Sequence, residues 1–81
     1  MPRYFYDLAD GGEVIKDPDG VDFVDLETAI AEAVGGARQV VAHGIMMNED
    51  LSGQSFLIRD EDGQTRATVR FRDTLPGKLR G

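Results

Sequence analysis

The carboxylates with the most obvious chemical potential lie in the run Asp17-Pro18-Asp19-Gly20, with Asp22 two residues further on. Carboxylates so close together could bind calcium. An EF-hand loop, however, needs oxygen ligands at alternate positions, glycine at the sixth position and a bidentate acid at the twelfth. Here glycine is fourth and Pro18 stiffens the run, which is the chemistry of a turn. We expect no metal site here, nor at the similar run Asp60-Glu61-Asp62-Gly63.

His43 is the only histidine, and the chain has no cysteine. A general base or a zinc ligand would need partners of these types. Near the predicted end of a helix, a histidine more simply interacts with the helix dipole. Ser52 and Ser55 have no nucleophile-elbow context, and Gly11-Gly12 and Gly35-Gly36 lack the spacing of a phosphate-binding loop. We therefore predict no catalytic residue, no metal and no cofactor, and a protein that is not an enzyme.

The composition is that of one small globular domain. The chain has 81 residues, of which 41% are hydrophobic and 30% charged, a balance typical of folded proteins. Without cysteine it cannot be a disulfide-stapled secreted scaffold. The N-terminus lacks the apolar region of a signal peptide, and no apolar run approaches the ~20 residues that span a bilayer. We expect a cytoplasmic protein that does not associate with membranes.

The charges are distributed unevenly along the chain. The net charge of −6 disfavours non-specific attraction to nucleic acid or to anionic membranes. Acidic residues dominate residues 1–32, and basic residues dominate from residue 59 onward. The simplest expectation is that the acidic and basic halves neutralise one another within the fold.

The N-terminal part of the chain predicts a β-hairpin. The aromatic segment 4–8 favours a strand on which Tyr4, Tyr6 and Leu8 share one face. A glycine pair then predicts a turn, and residues 13–16 form a short second strand. After the acidic turn, the chain continues as an extended segment toward the next element.

A helix follows this segment. Asp25 is a good N-cap because its carboxylate can accept hydrogen bonds from the free amides of the first turn. An apolar stripe at helical spacing comprises Leu26, Ile30, Ala33, Val34, Ala37, Val41 and Ile45. The pattern predicts a helix from Leu26 to about Gly44, with Ile45-Met46-Met47 as either a last turn or a covering loop. Gly35-Gly36 predicts a bend, or a close approach of the sheet to the helix.

The C-terminal part predicts a second hairpin, with strands over residues 54–59 and 65–72. The acidic run between them, residues 60–63, is the strongest hairpin signal in the chain. Along the last strand, Ala67, Val69 and Phe71 alternate with Arg66, Thr68, Arg70 and Arg72. We predict a single domain over residues 1–75 and a flexible tail over residues 76–81.

The order of elements predicts an α+β fold, a four-stranded and largely antiparallel sheet (ββαββ) with one helix packed on one face. The helix stripe is expected to meet one face of the sheet, formed by Tyr4, Tyr6, Leu8, Phe56, Ile58, Val69 and Phe71.

Several of these segments resemble a family of short bacterial proteins of unknown function. They are the opening Pro2-Arg3-Tyr4-Phe5-Tyr6-Asp7, the turn over residues 17–21 and the helix start over residues 25–33. Members typically open Pro-Arg-Tyr-Phe-Phe-Asp and end with a hairpin through Asp-Glu-Asp-Gly, here residues 60–63. The resemblance implies a strand-strand-helix-strand-strand order and a cytoplasmic bacterial protein. It implies no catalytic or binding residues.

The remaining candidate for function is the sheet face turned away from the helix. If the alternation holds, that face carries Arg3, Phe5, Leu57, Arg59, Arg66, Thr68, Arg70 and Arg72. Arginine and aromatic residues are enriched at protein contacts. We therefore expect a small non-enzymatic interaction module that binds a protein partner or a second copy of itself as a homodimer.

Three other interpretations stay open. Single-stranded nucleic acid could bind to Phe5 and the strand arginines, although the net charge disfavours this. An enzyme with an unfamiliar site is a weaker alternative. A monomer with an open, solvated sheet face is also consistent with the pattern, because isolated exposed apolar residues are common.

Overall fold

The computed structural model describes residues 1–76. The elements in chain order are β1 (Arg3–Asp10), β2 (Glu13–Ile15), β3 (Val21–Asp22), α1 (Leu26–Met46), β4 (Gln54–Arg59), β5 (Thr65–Arg70) and a 3-10 helix (Phe71–Thr74). The predicted flexible tail, apart from Pro76, lies outside the described residues.

The strands form one antiparallel sheet in the order β2-β1-β4-β5. The predicted α+β class, with one helix between two groups of strands, is confirmed. The extended segment expected after the acidic turn is itself a short strand, because β3 pairs with the start of β1. The sheet therefore has five strands, one more than predicted. β2 and β3 pair with opposite ends of β1.

The turn between β1 and β2 depends on glycine. Gly11 and Gly12 follow the paired residues Asp10 and Glu13 directly. Gly11 has φ of 63°, which glycine adopts without steric cost. Positive φ at the first central position is typical of a type II′ turn, whose twist matches that of the flanking strands.

The start of α1 is capped as the sequence predicts. The Asp25 carboxylate accepts hydrogen bonds from the Thr28 amide at 2.8 Å and from the Thr28 hydroxyl at 2.7 Å. The helix then runs without interruption through Gly35-Gly36. Among the described residues no helix is long and apolar enough to cross a membrane.

The end of α1 is a Schellman motif. Asn48 has φ of 60°, and its amide donates to the Ile45 carbonyl at 3.1 Å. The Glu49 amide donates to the Gly44 carbonyl at 2.7 Å. These bonds satisfy carbonyls that the last turn would otherwise leave free. Of the two alternatives for residues 45–47, the last turn is confirmed, with the helix ending at Met46.

The core lies between α1 and the predicted face of the sheet. Its buried hydrophobic members are Ala29, Ala33, Ala37, Val41, Ile58, Val69 and Phe71. The ring of Phe56 connects the two ends of this core, with centroids 5.6 Å from Tyr6 and 4.8 Å from Phe71. Aromatic pairs at such distances add to the stability given by burial alone.

The helix is not centred on the sheet. It packs mainly on β4, β5 and the 3-10 helix, and less on β1. Ile15 pairs with Leu8 and therefore lies on the helix side of β2. It is nevertheless 58% exposed, because α1 does not reach it. The β2 end of the sheet is therefore only thinly covered.

The last strand is shorter than predicted. It ends at Arg70, and residues 71–74 form the 3-10 helix. Phe71 and Thr74 are buried, and the Thr74 hydroxyl donates to the Phe71 carbonyl at 2.7 Å. Phe71 packs against Phe56 in the core, with ring centroids 4.8 Å apart, and the 3-10 helix keeps Phe71 on the helix side of the sheet.

Two glycine substitutions in α1 are expected to change stability in opposite directions. Gly35→Ala should raise the free energy of unfolding by about 1 kcal/mol, because alanine is the better helix former and no atom lies within 4 Å of the new Cβ. Gly44→Ala should lower it, because its Cβ would lie 2.9 Å from the Glu49 carbonyl oxygen and 3.0 Å from the Leu51 side chain. Urea unfolding of both variants checks this. A Gly44→Ala protein as stable as the wild type would contradict the close loop packing.

Candidate interaction surface

The face of the sheet opposite α1 is called the open face below. Its residues are Arg3, Phe5, Asp7 and Ala9 of β1, Val14 and Lys16 at β2, Asp22 of β3, Ser55, Leu57 and Arg59 of β4, and Thr65, Thr68 and Arg70 of β5. Within residues 1–76 the helix packs on the other face only, so these side chains meet solvent or each other.

A buried carboxylate lies in the middle of the open face. The Asp7 side chain is only 2% exposed. Arg59 of β4 donates to it twice, from Nε to Oδ2 at 2.9 Å and from Nη2 to Oδ1 at 3.2 Å. The Lys16 Nζ lies 3.3 Å from Oδ2, and the Asp17 amide donates to Oδ1 at 3.0 Å. One carboxylate therefore connects β1, β4 and the end of β2.

These contacts keep Asp7 ionised. The hydrogen-bonded Arg59 is the main reason that the pKa of Asp7 falls to about 2. Burial acts in the opposite direction, while the Asp17 amide and the Lys16 ammonium lower the pKa further. In return, the Asp7 carboxylate raises the pKa of Arg59.

Phe5 lies between Arg59 and Gly20. The guanidinium carbon of Arg59 is 4.7 Å from the ring centroid, a cation–π contact. Gly20 has φ of 69°, and a Cβ there would come within 2.8 Å of the Phe5 ring and 2.9 Å of the Arg3 side chain. Position 20 therefore requires glycine for two reasons, its positive φ and the close approach of the Phe5 ring. Phe5 is consequently half-buried rather than a free stacking platform.

Other arginines of the sheet also pair with carboxylates. The pairs are Arg3–Asp22 at 2.9 Å, Arg66–Asp60 at 3.4 Å and Arg70–Asp73 at 2.8 Å. These partners are close along the chain or on an adjacent strand. Among the ion pairs described here, only Asp7–Arg59 joins the acidic first part of the sequence to the basic last part. The expected neutralisation between the two halves is therefore concentrated in a single contact.

The predicted surface residues are largely brought together. The strand registers place Arg3, Phe5, Leu57, Arg59, Thr68 and Arg70 on the open face. Arg66 is displaced by a bulge, because Thr65 pairs with Arg59 and Ala67 pairs with Ile58, which leaves Arg66 as an extra residue between them.

Arg72 is a correction to the predicted surface. It follows β5 in the 3-10 helix, where the alternation of a strand no longer applies. It lines a cleft at the C-terminal end of α1 together with Glu49 and Asp50. Arg72 therefore does not belong to the open face.

That cleft does not resemble a catalytic arrangement in the residues that line it. The Ser52 hydroxyl and amide donate to Asp50 at 2.6 Å and 3.0 Å. They lower the pKa of Asp50, and the charge of Arg72 contributes less. Ser52 thus fixes its own loop, and His43 is not among the lining residues.

The carboxylates of the two acidic turns are used by the turns themselves. Asp17 accepts hydrogen bonds from the amides of Tyr6, Asp19 and Gly20. Asp60 does the same for the turn between β4 and β5. Within residues 1–76 no group of three or more His, Cys, Asp or Glu side chains is placed to hold a metal ion.

Comparison with known proteins identifies a family. A family model described as a domain of unknown function (DUF6894) matches residues 3–72. The chain belongs to this family. No curated protein and no solved structure gives a significant match. The predicted membership of a family of unknown function, with strands, a helix and further strands, is confirmed, while the family's opening motif and bacterial origin stay predictions.

The DUF6894 match extends from β1 into the 3-10 helix. It therefore includes all the residues that form the open face and the whole of α1. The family description assigns no role to any of them, so a functional argument must come from the geometry.

Asp7 and Lys16 are the surface residues that sequence reasoning missed. Alternation places Asp7 beside Phe5 on the open face, but it does not reveal burial, because the partner Arg59 is 52 residues away. The available signal was a single carboxylate inside an aromatic strand. Such a residue is costly unless it is paired.

The buried ion pair predicts a specific pH dependence of stability. The fold lowers the pKa of Asp7 from 3.8 to about 2, so the stabilisation contributed by its carboxylate is fully present above the pKa that Asp7 has in the unfolded chain. It is lost as the pH falls through about 2, and it amounts to about 2 kcal/mol. Asp7→Asn should therefore lower the free energy of unfolding at neutral pH, and the difference from wild type should shrink in acid.

Urea unfolding of both proteins between neutral pH and the acid limit measures this difference. Asp22→Asn is a suitable control, because Asp22 forms an exposed pair with Arg3 and such pairs contribute little. If Asp7→Asn were as mild as Asp22→Asn at neutral pH, the central role of the carboxylate would be refuted.

Proposed function

We propose that this domain is a non-enzymatic interaction module whose open face binds an acidic protein segment. The observation behind the proposal is the arrangement of charge on that face. In most ion pairs of that face the cation is the more exposed member, with 69% for Lys16 against 2% for Asp7 and 63% for Arg70 against 45% for Asp73, while Arg3 and Asp22 are equally exposed. Over the centre of the face, an approaching partner therefore meets the Lys16 ammonium before it meets the Asp7 carboxylate.

The partner chemistry follows from this asymmetry. The chain as a whole carries a net charge of −6, so a cationic face is a local exception that steers acidic partners toward it. Leu57 lies half-buried at the centre, flanked by Asp7 and Thr68 across the sheet. A segment with carboxylates around one apolar side chain fits this pattern.

Stacking two open faces against each other is less favourable. It would bring Arg3, Lys16 and Arg70 of one copy toward the same cations of the other, and like charges oppose contact. We therefore do not favour the expected homodimer through this face.

Nucleic acid binding is retained as the alternative outcome of the same test. The exposed cations favour it, but one side of the Phe5 ring is already covered by Arg59, which limits base stacking. We also propose a cytoplasmic bacterial origin, which is supported by the resemblance of the opening motif and by the absence of cysteine.

The proposal predicts binding of a defined probe. A peptide that alternates glutamate and leucine should bind the wild-type protein, with an affinity that falls as salt is added. Leu57→Asp and Arg70→Glu should each weaken binding, by about tenfold for the central Leu57. Fluorescence anisotropy measures both effects.

Arg38→Glu is the matched control, because it makes the same charge change on α1, where Arg38 donates to the Thr74 carbonyl at 2.8 Å. It should bind like the wild type. A single-stranded oligonucleotide forms the second arm of the test. Binding of the oligonucleotide but not of the peptide would replace the proposal with the alternative, and equal effects of Arg38→Glu and Arg70→Glu would remove the open face from consideration.

A further inference from the structure

We propose that the free edge of β2 joins two copies of this chain into one continuous sheet through antiparallel pairing of Val14 with Val14 of the second copy. No described strand pairs with this edge. The inference does not depend on the partner proposed for the open face, because it concerns the edge of the sheet and not its surface.

The backbone of Val14 points away from its own sheet. The Tyr6 amide donates to Asp17 on the β2 side of β1, so the backbone groups of Leu8 and Asp10 face the same side. Leu8 pairs with Ile15, which makes this a hydrogen-bonded pair, and the next residue of β2, Val14, faces the other way. Its N–H and C=O are therefore directed toward the free edge.

The side chains around that edge are apolar and exposed. Val14 is 49% exposed and Ile15 is 58% exposed. The two glycines of the preceding turn have no atom within 4 Å of a Cβ built on them. A second strand can therefore approach the edge without meeting a bulky side chain.

Charge selects the register. A two-fold axis through Val14 sets Glu13 opposite Ile15 of the other copy and Gly12 opposite Lys16, so no like charges meet. Centring the axis on Glu13 would set two glutamates opposite each other, and centring it on Ile15 would set Glu13 opposite Asp17. Like charges directly opposite destabilise a strand pair. In the Val14 register the two Ile15 side chains, and likewise the two Glu13 side chains, become diagonal neighbours on the helix side, where like charges are farther apart than in a directly opposite pair.

The other edge of the sheet is protected. β5 carries the bulge at Arg66, and the side chains of Arg66 and Arg70 are 52% and 63% exposed. Bulges and exposed charges on edge strands prevent further pairing. By contrast β2 has an apolar centre, which makes it the edge that a second copy fits.

Val14→Pro tests the inference without disturbing the hairpin. Proline removes the outward N–H and leaves the inward hydrogen bonds of Glu13 and Ile15 to β1 in place. Thr68→Pro is the matched control, because the same alternation directs the Thr68 N–H to the outer edge of β5. Val14→Lys is a second variant that keeps the backbone and sets two lysines opposite each other.

The oligomeric state is measured by sedimentation equilibrium at protein concentrations up to the millimolar range, and circular dichroism verifies that each variant is folded. The contact is short, so the expected dissociation constant is micromolar or weaker. Dimers for the wild type and Thr68→Pro, with at least a tenfold loss for Val14→Pro and Val14→Lys, support the inference. A wild-type monomer throughout, or a dimer that survives Val14→Lys or is lost in Thr68→Pro, overturns it. Val14 itself lies on the open face, so peptide binding is compared in Val14→Pro, which adds no charge; binding that persists there would show that the two surfaces act separately.

Discussion

The contact on which the sheet depends most is the one between the Asp7 carboxylate and the Arg59 guanidinium. It joins residues 52 positions apart in sequence, and it does so between the two strands at the centre of the sheet. Small domains bury a limited share of their surface, so a buried charge must be fully compensated to be tolerated. Arg59, Lys16 and the Asp17 amide provide this compensation. The same contact orients Arg59 over Phe5, and Phe5 in turn requires glycine at position 20.

The two faces of the sheet are thus stabilised by different interactions. Toward α1, aromatic rings and small helix residues exclude water, and the hydrophobic effect dominates. On the open face, ion pairs organise side chains that remain in contact with solvent, and each is worth less except at the buried Asp7. The face toward α1 therefore provides most of the stability of the fold, and the open face remains available to a partner. Because α1 lies off the centre of the sheet, it also leaves the β2 edge uncovered, and Ile15 remains exposed there.

Local patterns were sufficient to predict the class of fold, the N-cap at Asp25 and the face occupied by Tyr4 and Tyr6. They were insufficient wherever distant residues decide the outcome. β3 is only two residues long, too short for any periodicity, and exists because it lies against β1. Phe71 continues the alternation of β5 in sequence, but the strand ends at Arg70 and the 3-10 helix that follows carries Arg72 away from the open face. The burial of Asp7 likewise depends on an arginine from the other end of the domain, which no local window contains.

The position of β1 has a consequence for how the protein is made. β1 is the first strand to leave the ribosome, yet it lies in the interior of the sheet, between β2 and β4. Its second neighbour is synthesised only after the whole of α1, and Phe71 of the core later still. Until then the nascent chain can form a hairpin of β1 and β2, which is marginal on its own. Cooperative folding of this domain therefore requires β4, β5 and Phe71 to have been synthesised, and until then its aromatic first strand is available to chaperones.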